Sequence, residues 1–202
     1  MTISTEQITK RKKQLRKQLL SKRRKLSETA LRHISNRIYT RLIELDAFLN
    51  AKVVHSYIPI KKNKEVYTWD ILDKAHQMNK KVVVPVMDMK SSHMDHYEIN
   101  PRKTPLKENK LGIPQPNVDK ALENNGSFDL IIVPMVGGDH FCNRLGYGRG
   151  YYDRFLDNQS SAVTIGVMPD ACLLSKIPVE EHDIPLHGII TENTICMRGG
   201  KI

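Results

Sequence analysis

The residues best suited to chemistry in this 202-residue chain lie in one stretch, Gly137 to Asp153, which reads Gly-Gly-Asp-His-Phe-Cys-Asn-Arg-Leu-Gly-Tyr-Gly-Arg-Gly-Tyr-Tyr-Asp. Five of the chain's 11 glycines (Gly137, Gly138, Gly146, Gly148 and Gly150) fall in it. Glycine lets backbone N–H groups come close to a phosphate, and Arg144 and Arg149 add planar donors for its oxygens. The stretch follows an apolar run that predicts a strand and precedes a predicted helix, which is where ligands bind in an open α/β sheet. Its alternating Gly-x-Gly-x-Gly matches neither a Walker A motif nor a dinucleotide-binding fingerprint. A plain glycine-rich turn with exposed arginines would share this composition. Tyr151, Tyr152 and Asp153 argue against that, because two aromatics and an acid are odd choices for a linker. By type and spacing alone, the stretch supports phosphate binding.

Asp153 beside such a loop could carry Mg²⁺, a hard cation that shares carboxylate and phosphate oxygens. It could equally be a solvated acid favoured by a helix dipole. Glu180, Glu181, His182 and Asp183 read by composition as a solvated loop. His93 and His96 lie in a polar stretch with no third ligand in sight, and the expectation is that both are exposed. Cys142, Cys172 and Cys196 stand far apart with no Cys-x-x-Cys pair, so they predict free, buried thiols.

Elements must hold these residues in place, and the hydrophobic pattern proposes them. Ile8, Lys12, Leu15 and Leu19 recur at helical spacing and predict a helix over 6–25, with Lys12 and Arg16 one turn apart beside the stripe. Ser27 is placed to cap a second helix carrying Leu31, Ile34, Ile38, Leu42 and Leu45 and ending near Asp46. Then come short Val- and Ile-rich runs at 53–58, 82–87, 130–136 and 163–167, the signature of buried parallel strands. Residues 66–79 and 148–158 are long enough to be crossover helices. Alternation of this kind implies an α/β fold with a mostly parallel sheet, in a single domain spanning 1–202. The proline-bearing segment 100–127 reads as a long irregular loop.

The formal net charge of +10 is a property of one segment. Residues 1–25 hold ten Lys or Arg against the single acid Glu6, leaving 22 basic and 21 acidic side chains in residues 26–202. A basic helix of this kind could bind nucleic acid through counterion release. It could instead turn a few of its charges onto an anionic ligand. No run approaches the roughly 20 apolar residues that span a bilayer, and the N-terminus lacks the apolar stretch of a secretory signal. The expected address is cytoplasmic, with no membrane partner.

At this point the motifs carry a resemblance. The chain resembles the 5-formyltetrahydrofolate cyclo-ligase family, also called methenyltetrahydrofolate synthetase. The most specific element is Asn143-Arg-Leu-Gly-Tyr-Gly-Arg-Gly-Tyr-Tyr-Asp153. Around it, in the family's order, stand Lys12-x-x-Leu15-Arg16, Ser56-Tyr-Ile-Pro-Ile60 followed by Glu65, Gly112-Ile-Pro-Gln-Pro116, Pro178-Val-Glu-Glu-His-Asp183 and Ile189-Ile-Thr-Glu192. The resemblance implies a three-layer α/β/α fold like that of sugar-phosphate isomerases and CoA transferases. It implies conversion of 5-formyltetrahydrofolate to 5,10-methenyltetrahydrofolate, with ATP as co-substrate and Mg²⁺ as cofactor, by a monomer that needs no nucleic acid.

Carried over residue by residue, Lys12 and Arg16 would contact ATP phosphates, with Arg144, Leu145, Gly146, Tyr147, Gly148, Arg149, Gly150, Tyr151 and Tyr152 forming the nucleotide loop. Ile60, Glu65, Tyr147, Gly148, Arg149, Gly150 and Tyr151 would line the folate side, Arg149 and Tyr151 would be catalytic, and Asp153 and Asp183 would hold the metal. Five positions depart from the family's usual pattern: Cys142 where glycine is common, Gly138 where an aromatic often precedes Asp139, Cys172 for glutamine, His187 for an acid, and Leu111 where some relatives have tryptophan. Two other readings fit the same residues: a nucleic-acid-binding protein working through the basic helix, and a sugar-phosphate enzyme on the same fold.

Overall fold

The protein's structure, a computed structural model, describes residues 4–87, 93–109, 112–117 and 126–199. Leu111, one of the departures named above, lies outside the described residues. Helix α1 (Thr5–Arg24) starts at a capping box: Ser4 Oγ accepts from Gln7 N–H while the Gln7 side chain accepts from Ser4 N–H. Its buried residues are Lys12, Leu15, Leu19 and Arg23, so the inward stripe continues one turn past the apolar pattern and ends on an arginine. Helix α2 (Glu28–Ile43) is capped by Ser27 as the sequence suggests, and a short α3 (Asp46–Asn50) follows.

A large sheet forms the middle layer. Its strands among the described residues are β1 (Val53–Ser56), β2 (Lys81–Met87), β3 (Met94–Glu98), β6 (Leu130–Pro134), β9 (Val163–Val167), β11 (Gly188–Ile190) and β12 (Ile195–Met197), in the order β12-β11-β9-β6-β1-β2-β3. The five inner strands run parallel, while β3 and β12 pair antiparallel at the edges. The four Val- and Ile-rich runs are the inner strands β1, β2, β6 and β9, buried on both faces.

Alternation along the strands divides the core in two. Ile131 and Val133 pack with Leu15 and Leu19 of α1 and with Phe155 and Leu156 of helix α5 (Tyr151–Asp157). Leu130 and Ile132 pack on the opposite face with Ile38 and Leu42 of α2, Phe48 of α3, and Ile71 and Leu72 of helix α4 (Trp69–Gln77). Each such side chain taken fully from water contributes about 1.5–3 kcal/mol. Both faces of the sheet are therefore covered by helices, giving three layers.

Two expectations need correction. The segment 100–127 is not wholly irregular, since β4 (Leu106–Glu108) and β5 (Pro114–Pro116) pair antiparallel within it. His96 is not exposed: it lies inward on β3 at 1% exposure, whereas His93 is at the surface. His96 Nδ1 is 3.1 Å from His55 Nε2 of β1, and both rings pack against Phe128 and Phe155. Burial holds both imidazoles below their ordinary pKa, His96 at about 4. No helix among the described residues is long and apolar enough to cross a membrane.

Candidate active site

The glycine-rich stretch does not run directly from strand to helix. It first makes a small hairpin, β7 (Gly137–Asp139) against β8 (Arg144–Leu145), with β10 (Leu173–Leu174) along the other side of β7. The fully buried Asp139 holds the hairpin's turn. Its Oδ1 accepts from the backbone N–H of Phe141 (3.0 Å) and Asn143 (3.1 Å), and its Oδ2 from Asn143 Nδ2 (3.1 Å) and Ile177 N–H (2.9 Å). Cys142 in that turn has φ +63°, a backbone region where a Cβ is unfavourable. Gly137 and Gly138 are buried in β7 beneath Leu19, Met135 and Ile189, so their smallness serves packing. The glycines left near a ligand are Gly146, Gly148 and Gly150, the last two with φ +92° and +69°.

Downstream of the hairpin, the loop forms one wall of a cavity of about 520 Å³, within the usual range of ligand sites. The cavity is lined by Lys12 and Arg16 of α1, by Ile60 and Glu65 of the loop after β1, by every residue from Arg144 to Asp153, and by Asp183. Residues nominated from four separate parts of the sequence thus face one space. Glu180 lines it too, so the acidic cluster at 180–183 is a wall of the cavity and not a loop set apart in solvent. His182 also faces the cavity, and its imidazole is 72% exposed.

At one end the charges come in opposed pairs. Lys12 Nζ donates to Glu180 Oε2 at 2.7 Å and to Asp183 Oδ2. Arg144 Nη2 donates to Asp153 Oδ1, closing the loop on itself. Arg16 Nε donates to the Gly146 carbonyl at 2.8 Å, and its guanidinium lies 3.2 Å from where a Cβ on Gly148 would sit. Burial lowers the pKa of Arg16, while Asp183, Glu180 and Asp153 act to raise it. Arg144 Nε and the Tyr152 hydroxyl are buried without a hydrogen-bond partner among the described residues. Both residues line the cavity, so ligand atoms can complete them.

At the other end Glu65 is nearly fully buried. Its Oε2 accepts from Ile60 N–H at 2.7 Å and its Oε1 from the Tyr147 hydroxyl. Burial raises its pKa, opposed first by the Ile60 N–H, then by Tyr147 and by the charge of Arg23. An ionised carboxylate so held keeps further lone pairs for donors from a ligand.

Sequence comparison gives this geometry a context. Residues 8–192 match the sequence profile of the 5-formyltetrahydrofolate cyclo-ligase family. The chain belongs to that family. Among its relatives, the probable 5-formyltetrahydrofolate cyclo-ligase of Schizosaccharomyces pombe is 29% identical over 199 residues, covering 92% of this chain and 97% of that one. The 5-formyltetrahydrofolate cyclo-ligase of Escherichia coli is 28% identical over 178 residues, covering 86% and 96%. The solved structure of Aquifex aeolicus 5,10-methenyltetrahydrofolate synthetase superposes with a TM-score of 0.79 at 28% identity, covering 95% of this chain and 94% of that one. The chain is accordingly an enzyme of the ligase class, and its α/β fold is that of the methenyltetrahydrofolate synthetases.

Within this cyclo-ligase fold, two side chains at or behind the site are not marked out by sequence pattern. Glu180 was indistinguishable from its neighbours in an acidic run, and its position follows from the ion pair with Lys12. Arg23 was one of ten bases in a basic segment, although steps of four from Leu15 and Leu19 lead to it. Of the cations of α1, Lys12 and Arg23 are buried and Arg16 is partly so, while Lys10, Arg11, Lys13, Lys17, Lys22 and Arg24 remain exposed.

Proposed function

We propose that the protein converts 5-formyltetrahydrofolate to 5,10-methenyltetrahydrofolate with hydrolysis of ATP to ADP and phosphate, as one domain. The observation that carries this reading is the shared cavity: a glycine turn with inward cations at one end and a buried acceptor carboxylate at the other. The first suits a polyphosphate, and the second suits the neighbouring N–H groups of a pterin ring.

The formyl oxygen attacks the γ-phosphorus, the bond to ADP breaks, and the activated carbon is held as an iminium phosphate. N10 of the folate then adds to that carbon, its proton passes to the departing phosphate, and phosphate leaves as the methenyl bridge forms. No covalent enzyme intermediate is needed, so the protein's contribution is alignment and charge stabilisation. Lys12 and Arg16 take phosphate oxygens, Arg144 offers its unpartnered Nε, and the loop through Tyr152 packs around the nucleotide. Ile60, Glu65, Tyr147 and the loop glycines hold the folate, with Arg149 and Tyr151 beside the reacting formyl group.

The residues fit a magnesium ion. Glu180, His182 and Asp183 present ligand atoms within 4.8 Å of one another, and hard carboxylate oxygens suit it. Asp183 and Glu180 would hold it, with Asp153 joining once Arg144 turns to phosphate. Such an ion neutralises developing charge on the phosphate oxygens. Pairing Lys12 with Glu180 and Asp183, and Arg144 with Asp153, offsets these charges without ligand, and a magnesium–nucleotide complex would exchange partners with both sets.

The test is the absorbance of the methenyl product when the protein meets 5-formyltetrahydrofolate, ATP and Mg²⁺, with each omitted in turn. A rise requiring all three is expected, and no rise in the complete mixture would overturn the reading.

A further inference from the structure

Arg23 sits in the last turn of α1 at 2% exposure, far from the solvent that its neighbours Lys22 and Arg24 face. Its Nη1 donates to the Met135 carbonyl just beyond β6 at 2.9 Å, and its Nη2 to the Tyr147 hydroxyl at 2.6 Å. The Tyr147 hydroxyl in turn donates to Glu65 Oε1. The direction of this chain is fixed by chemistry. A guanidinium cannot accept, so the tyrosine oxygen must accept from Arg23, and its one proton is then committed to Glu65. The three residues come from α1, the glycine-rich loop and the loop after β1, so they tie together the elements that enclose the cavity.

The chain of bonds leaves Glu65 in a defined state. One lone pair of each carboxylate oxygen is taken, by Ile60 N–H and by Tyr147, and one on each remains for a ligand. We propose that Arg23 is a positioning residue for the folate: acting through the Tyr147 hydroxyl, it keeps Glu65 turned and acceptor-only toward the paired N–H donors of the pterin. This deepens the cyclo-ligase reading and rests on it.

The titratable groups facing Glu65 are Tyr57 from the segment after β1, Tyr147 from the loop, Tyr152 from α5 and Arg23 from α1. The three tyrosines are held neutral, with pKa values pushed up by burial. Arg23 is the cation that offsets the desolvation of Glu65. Removing it takes away both the donor that commits the Tyr147 proton to Glu65 and a charge that lowers the carboxylate's pKa, so protonation of Glu65 sets in earlier as pH falls and gives pterin N–H groups a competing proton.

The experiment measures KM for 5-formyltetrahydrofolate and for ATP, with direct folate binding, from pH 5.5 to 8 in the unmodified protein and in Arg23→Met, Arg23→Lys and Tyr147→Phe. In Arg23→Met the folate KM is expected to climb by about tenfold per pH unit below the raised Glu65 pKa, with a much flatter profile in the unmodified protein. ATP KM should lack this pH dependence, and Arg23→Lys should restore part of the profile. Tyr147→Phe keeps Arg23 and the ring but cuts the chain, so it reports the same effect even if Arg23→Met fails to fold. A pH-independent loss, or a change in Tm alone, would make Arg23 a purely structural anchor and overturn the inference. Failure of the unmodified protein to bind or turn over 5-formyltetrahydrofolate would instead overturn the cyclo-ligase reading, and this inference with it.

Discussion

Lys12 on α1 and Glu180, 168 positions later, meet at 2.7 Å and clasp the two ends of the sequence across the cavity mouth. Asp183 takes a second hydrogen bond from the same ammonium, and its Oδ2 also accepts from Glu180 N–H at 2.7 Å. Under the proposed function, a cation intended for phosphate is stored against two acids. Binding a nucleotide requires that the acids give it up, and a metal ion that engages them makes the exchange favourable.

That competition predicts opposite effects for its two partners. Lys12→Met should raise the KM for ATP by about tenfold or more, the loss of one charge-assisted contact of about 1.4 kcal/mol. Glu180→Gln should tighten binding of ATP in the absence of metal, because Lys12 is then less strongly held. Steady-state kinetics measures the first, and calorimetric titration of ATP in chelator measures the second. Weaker metal-free binding in Glu180→Gln would contradict the stored-cation account.

The carboxylates separate in the same way. Asp183 belongs to the cluster whose ligand atoms converge, whereas Asp153 holds Arg144. Asp183→Asn should raise the Mg²⁺ concentration for half-maximal turnover by about tenfold, in line with the loss of one hard ligand. Asp153→Asn should chiefly lower the KM for ATP by freeing Arg144 for phosphate, with a smaller change in Mg²⁺ demand. Rate against free Mg²⁺ at saturating ATP distinguishes them, and identical shifts would mean the two acids share the ion equally.

Glycine placement gives a further contrast. A Cβ on Gly138 would lie 2.5 Å from Met135 Cε, 2.7 Å from Ile189 Cδ1 and 3.0 Å from the Asn143 carbonyl. Gly138→Ala should therefore cost about 1–3 kcal/mol of stability, lowering Tm by roughly 2–4 °C per kcal/mol, with KM values of the folded fraction unchanged. Gly148→Ala meets the Arg16 guanidinium and a φ of +92°. Its effect should fall on ATP KM as well as on Tm. Thermal melts paired with kinetics below the transition measure both, and a Gly138→Ala enzyme with impaired ATP binding would return Gly138 to the phosphate loop.

Much of this architecture is legible from residue pattern because the inner strands are buried on both faces and must read as Val- and Ile-rich runs. The edges are less legible. β3 reads Met-Asp-His-Tyr-Glu, and beside Met94 its inward residue is a histidine that composition assigns to the surface. β11, the inner strand next to the edge strand β12, is three residues long and begins with Gly188, too short for a period. At the site, glycine, arginine and carboxylate positions stood out by type. Arg23 did not, because a buried cation in a basic segment differs from its neighbours only by helical phase. Its partner Tyr147 was nominated with the loop, but its hydrogen bond to Glu65 follows only from the fold.

The misjudged histidine leads to the last prediction. His55 Nε2 and His96 Nδ1 share one hydrogen bond at 3.1 Å, which requires one donor and one acceptor, so at least the accepting ring is neutral; His55 Nδ1 has no partner among the described residues. Their pKa values in the fold lie below the ordinary 6.5, His96 at about 4. The unfolded chain thus binds protons that the folded chain refuses, so the stabilisation is complete above pH 6.5 and is lost as pH falls toward 4. For His96 alone the difference is about 3 kcal/mol. His187, also lowered by burial, acts in the same direction, whereas Glu65, whose pKa is raised, acts in the opposite one. Subtracting a His96→Phe variant removes both contributions and isolates the share of His96, because His55 stays buried with a lowered pKa in the variant. Urea unfolding at pH 7.5 and 5.0 should show a large loss for the unmodified protein and a smaller one for His96→Phe, whose ring suits the cluster of Phe128 and Phe155. Equal losses in the two proteins would mean that the acid sensitivity comes from elsewhere in the fold.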